Sequence, residues 1–148
     1  MIRLTDIRYW ITILLCWFAA SSLAQSRYAG FEGRQVYPVE LTPDGSLLLA
    51  LHSEAAALCL FDPSGPVPAP VKLGEVPTGL EPVSVRARTN DEAWVVNEVS
   101  DTISVISLSG RRVTAILPTG DEPSDVVFAA GKAFVTCART MRFGFTMQ

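Results

Sequence analysis

The sequence predicts an all-β repeat protein, and three observations carry that prediction. Residues 77–82 and 118–123 both read Pro-Thr-Gly-x-Glu-Pro, and their starts stand 41 positions apart. Ten prolines and ten glycines punctuate short runs rich in β-branched residues, a spacing that stops and restarts strands and breaks helices. Hydrophobic residues make up 49% of the 148 positions, which excludes a disordered or collagen-like polymer and supplies a core. A helical repeat would need 3.6-residue periodicity, and a β-sandwich offers no reason for a repetition at this interval. Units of about 40–45 residues with four short strands each describe the blades of a β-propeller. The expected architecture is therefore all-β: an N-terminal signal peptide followed by a partial β-propeller of about two and a half four-stranded blades.

Residues 1–24 read as a targeting signal rather than as fold. Arg3 and Arg8 precede the apolar run from Trp10 to Ala20, and Ser22 and Ala24 are the small residues a signal peptidase inspects. A membrane anchor needs about 20 apolar residues, and Gln25-Ser26-Arg27 closes this run sooner. Large Leu15 before Cys16 argues against lipid attachment. Cleavage is expected after Ala24, which sends the chain to the periplasm or the exterior with no stable membrane span. It would remove Cys16 and leave Cys59 and Cys137. Two readings of that pair stay open, a disulfide bridge and two inert buried thiols, and the second is favoured.

A lead-in over 25–35 precedes the repeats of 36–137. The first copy begins at Pro38 with Val39-Glu40-Leu41, turns at Thr42-Pro43-Asp44-Gly45, and continues with Leu48-Leu49-Ala50-Leu51-His52. Leu49 matches Trp94 and His52 matches Asn97 at an offset of 45, as Leu58-Cys59-Leu60-Phe61-Asp62 matches Ile103-Ser104-Val105-Ile106-Ser107. In the second copy the strands are expected near 82–87, 92–97, 102–107 and 111–117. The third copy offers Asp125-Val126-Val127-Phe128, a turn around Gly131, and Ala133-Phe134-Val135-Thr136-Cys137. In the Pro-Thr-Gly-x-Glu-Pro segments each proline pins φ and withholds a backbone donor, while the glycine can adopt a positive φ. The tail, 138–148, departs from the repeat and lacks the expected turn and third strand.

These motifs resemble those of the YVTN-type β-propeller repeat proteins, named for Tyr-Val-Thr-Asn at the end of a blade's second strand. Trp94-Val95-Val96-Asn97 and Phe134-Val135-Thr136-Cys137 stand at that position, with Leu49-Ala50-Leu51-His52 more distant. Ser100-Asp101-Thr102-Ile103-Ser104-Val105-Ile106 is similar to the family's following turn and third strand, and Gly120-Asp121-Glu122-Pro123 to its Gly-x-x-Pro approach to the next blade. The resemblance covers about 36–137 and concerns the scaffold. It implies relatives that include lactonases and subunits of quinone- or haem-linked oxidoreductases. A closed propeller needs at least about four blades, so the expectation is a fragment of a longer chain, or a short chain that closes by assembling copies. Open blade faces imply self-association.

The inventory for chemistry is thin. A net charge of −3 gives no basic excess for a phosphate backbone, so nucleic acid is not an expected partner. His52 is the single histidine, and a strand-end role is favoured over catalysis or metal binding. Neither a Gly-x-Ser-x-Gly elbow, nor Cys-x-x-Cys-His, nor a glycine-rich phosphate loop occurs. Asp121, Glu122 and Asp125, with Glu81 repeating the position of Glu122, could offer oxygens to calcium, but a solvated turn is favoured. Asn97 could line a ligand mouth; a hydrogen bond from its amide to the backbone of the 98–101 turn is favoured. Trp94 and Phe134 share one repeat position and are expected to pack between blades rather than to form a stacking platform.

No catalytic, cofactor-binding or metal residue is therefore assigned and no cofactor is expected. The favoured function is an extracytoplasmic binding or scaffold module for a protein, glycan or small ligand, without catalysis of its own. The alternative is the propeller portion of an exported enzyme, lactonase-like or a quinone- or haem-linked oxidoreductase subunit.

Overall fold

The computed structural model describes residues 34–65, 70–138 and 143–146, so the expected signal peptide and most of the lead-in lie outside the described residues. Four antiparallel strands, β1 (Val39–Leu41), β2 (Leu48–His52), β3 (Ala57–Asp62) and β4 (Val71–Pro77), form a first sheet in chain order. A second repeats it with β5 (Pro82–Ala87), β6 (Glu92–Asn97), β7 (Thr102–Ser107) and β8 (Arg112–Pro118). The third contains β9 (Pro123–Ala129), β10 (Lys132–Cys137) and β11 (Phe143–Thr146). The described residues thus form a partial propeller whose first strands lie side by side, β1 next to β5 and β5 next to β9.

Strand positions follow the sequence reading closely, with the fourth strand of the second sheet displaced by one residue to Arg112–Pro118. The tail is a correction. Phe143–Thr146 pairs antiparallel with β10, after a register shift between Ala133 and Phe134. Repeat consensus is not required there, because an edge strand needs only backbone donors and acceptors to satisfy the free side of β10.

The repeated proline segments have repeated geometry, with the left-handed backbone at residues other than their glycines. Positive φ occurs at Glu81 (54°) and Glu122 (51°), the residues before the second proline, not at the glycines. Thr78 N–H donates to Ala56 O at 2.8 Å and Thr119 N–H to Asp101 O at 2.9 Å; Ala56 (48°) and Asp101 (52°) are again left-handed. Gly79 is demanded by proximity instead, since a Cβ there would stand 2.7 Å from Asn97 Cγ.

Each sheet has two faces, here termed leading (toward the sheet that follows in sequence) and trailing. The leading face of the first sheet places Leu49, Leu58 and Leu60 against Val85, Val95 and Ile106 of the second. The leading face of the second places Trp94, Ile103 and Val105 against Val126, Ala133 and Val135 of the third. The register makes the two joints equivalent: Leu49 pairs with Glu40, Trp94 with Arg86 and Phe134 with Val127. Period-two alternation sends alternate residues to opposite faces, so one joint pattern serves both. Trp94 meets Phe128 edge-on, with ring centroids 5.2 Å apart at 84°.

Candidate functional site

The first strands also carry the charged groups that cross between sheets. Arg86 on β5 grips Asp125 on β9 through Nη2–Oδ2 at 2.6 Å and Nε–Oδ1 at 3.0 Å. Ser84 Oγ and Val126 N–H donate to the same carboxylate at 2.6 and 2.9 Å. Burial alone would raise Asp125; the donors from Arg86, Ser84 and Val126 outweigh it and hold the carboxyl below its usual range. The Tyr37 ring lies over Arg86, with Cζ 3.6 Å from the ring centroid, a cation–π contact. Glu40 on β1 accepts Ala87 N–H at 2.8 Å. Burial pushes Glu40 up, opposed by that backbone donor and by Arg86. The inner charges therefore stitch neighbouring sheets together.

A short length of chain adds to this seam. Val36 N–H and Tyr37 N–H donate to Val83 O at 2.9 and 3.1 Å, and Val85 N–H returns a bond to Tyr37 O at 2.9 Å. Tyr37 and Ser84 form a parallel bridge. The segment preceding β1 is thus tied to the edge of β5.

The remaining candidates scatter. His52 ends β2 in an exposed position. Asp121 and Glu122 are exposed in the β8–β9 turn, whereas Asp125 is occupied by Arg86. Among the described residues no group of three or more His, Cys, Asp or Glu side chains is arranged to hold a metal ion. Cys59 and Cys137 are free, the first buried and the second half-buried. Asn97 is fully buried, and its Nδ2 donates to Thr102 Oγ1 at 3.2 Å and Ser104 Oγ at 3.0 Å. The expected bond from this amide to the following turn is thereby corrected. Thr102 lies directly across the ladder from Asn97 and Ser104 diagonally on the same face, so both β7 hydroxyls meet the amide. Trp94 is buried in the second joint, while Phe134, its repeat equivalent, is half-buried on the leading face of the third sheet.

One end of the second sheet presents a different surface. Glu98 N–H donates to Glu81 O at 2.9 Å, which brings the β4–β5 and β6–β7 turns together. Leu80 and Val99 stand exposed on these turns, at 61% and 58%. Burial raises the Glu98 carboxyl, and the negative charges of Glu81 and Glu122 raise it further. The sequence reading missed both this turn pair and Arg86, although the alternation of β5 already placed Ser84 and Arg86 on one face.

No family model and no curated protein matches the chain. Solved structures do. Hydrazine synthase of Kuenenia stuttgartiensis superposes with a TM-score of 0.62 at 21% identity, over 75% of this chain and 32% of that one. A functionally unknown protein from Desulfotomaculum acetoxidans gives 0.58 at 18% identity, over 67% and 34%. KlAtg21, in a complex with the coiled-coil of AgAtg16, gives 0.54 at 14% identity, over 80% and 44%. These likenesses establish the propeller fold. The chain spans about a third of the length of the first two structures.

Proposed function

We propose that this chain is an exported propeller module with YVTN-type repeats that binds a protein, glycan or small ligand and performs no catalysis itself. The observation that carries the reading is the division of labour among its side chains. Arg86, Asp125 and Glu40 are spent on holding sheets together, while Leu80 and Val99 stand exposed on adjoining turns at one end. Loops on a rigid β scaffold are where recognition residues concentrate. Exposed apolar side chains beside Glu98, whose carboxyl is partly desolvated, suit a ligand with an apolar body and a positive or hydrogen-bond-donating group. The N-terminal features of residues 1–24 support delivery to the periplasm or exterior.

The test is a thermal-shift screen against oligosaccharides, short peptides and small metabolites, run beside lactone-hydrolysis and quinone-reduction assays. A ligand that raises Tm, and loses its effect in Val99→Ser while the unliganded Tm holds, supports the reading. Turnover of a lactone or a quinone would overturn it in favour of an enzyme portion. Fusion of residues 1–30 to a reporter active only outside the cytoplasm tests export separately.

A further inference from the structure

We propose that two copies of this chain join head to tail, the leading face of the third sheet of one copy against the trailing face of the first sheet of the other. Two such joints make a ring of six sheets. The inference rests on the propeller module proposed above and names one partner for it, a second copy.

The two internal joints state the rule. Val85 and Val126 occupy the same place on the trailing faces of the second and third sheets, and the preceding sheet buries them to 0% and 1% exposure. Their equivalent on the first sheet is Val39, paired with Ala50 as Val85 is with Val95. Val39 is 49% exposed and Leu41, two residues along the same face, 50%. On the opposite side, Val127 occupies the place of Glu40 and Arg86 and is 61% exposed. The faces left uncovered are thus the two halves of a joint the chain already makes twice.

Their chemistry is matched, which favours a copy over an unrelated partner. In the second joint the crossing position is ionic, Arg86 to Asp125. At the open joint the equivalent of Arg86 is Val127. Asp125 occupies the place of Ser84 and, on the first sheet, of Pro38, whose carbonyl bonds Leu51 N–H. Valine therefore meets proline and valine, and among the described residues no charge on the first strands is left without its partner on either side. A heterologous contact of this kind closes when its rotation completes a circle, and six sheets fall within the range of closed propellers.

Sedimentation velocity of the purified chain tests the proposal. A species of twice the chain mass is expected. Val127→Lys and, independently, Val39→Glu should each weaken it by at least ~10-fold in dissociation constant, because each buries an unpaired charge in the same joint. Combining Val127→Lys with Val39→Glu should restore the dimer, since opposite charges then face each other. Both sites are exposed in the single copy, and unchanged circular dichroism confirms that the variants fold. A monomer at all concentrations, or a dimer that responds to only one of the two single variants, would overturn the ring. Ligand binding at Leu80 and Val99 is read in a separate assay, so failure of either idea is recognised on its own.

Discussion

Trp94→Ala should be among the most damaging single substitutions in the described residues. Trp94 is 4% exposed, fills the joint between the second and third sheets, and meets the Phe128 ring edge-on at 5.2 Å. Truncating a buried tryptophan costs about 3–5 kcal/mol in lost burial and residual cavity. The edge-on ring pair accounts for roughly 0.5–1.5 kcal/mol of that, beyond simple burial. The indole N–H also donates to Glu92 Oε1 at 2.7 Å, but Arg88 holds the same oxygen at 2.8 Å, so Glu92 keeps a partner and this loss is small. Against a domain stability of about 5–15 kcal/mol, the total is a large fraction, so Trp94→Phe serves as the milder companion. The assay is urea unfolding followed by far-ultraviolet circular dichroism, with a double-mutant cycle through Phe128→Ala. A cost below ~1 kcal/mol for Trp94→Ala, or no coupling to Phe128, would refute the joint as described.

Four further outcomes follow from the same geometry. Asp125 titrates low when folded, so its contribution is complete above the unfolded pKa and fades as pH falls through the folded value; urea midpoints of the parent and Asp125→Asn should converge below about pH 4. Glu40 titrates high, so its ionisation removes stability as pH rises; Glu40→Gln keeps an acceptor for Ala87 N–H and should gain on the parent above, but not below, that transition. Gly79→Ala forces Asn97 from its place against Thr102 and Ser104 and should lower stability by about 1–3 kcal/mol in urea titration. Ala130 (49°) and Gly131 (70°) form a turn with both φ positive, so Ala130→Asn should raise stability by ~0.5–1 kcal/mol in the same titration.

Much of the scaffold was legible because its signals are local. Prolines end β4 at Pro77 and open β5 at Pro82, and the repetition carries those limits to Pro118 and Pro123. What escaped the sequence was set by neighbours. Glutamate, not glycine, bears the positive φ of the repeated segment, against the extended backbone that a following proline favours, while Gly79 is fixed by its close approach to Asn97. The Asn97 amide turns to β7 because Thr102 lies opposite it and Ser104 diagonal to it on the same face, a fact of register. Arg86 and Asp125 are 39 residues apart, and only the stacking of β5 on β9 makes them partners. Phe143–Thr146 carries no repeat motif and pairs through its backbone.

The tie between Val36–Tyr37 and β5 gives the propeller a mechanical order of loading. Tension applied through the preceding residues reaches the bonds at Val83 and Val85 before it reaches β1, and it meets the Tyr37–Arg86 stack at the same place. Stretching the molecule from that end would therefore load this clasp before it loads the pairing of β1 with β2. A tether attached upstream would pull on β5 of the second sheet as well as on β1 of the first, so the load is shared between neighbouring sheets.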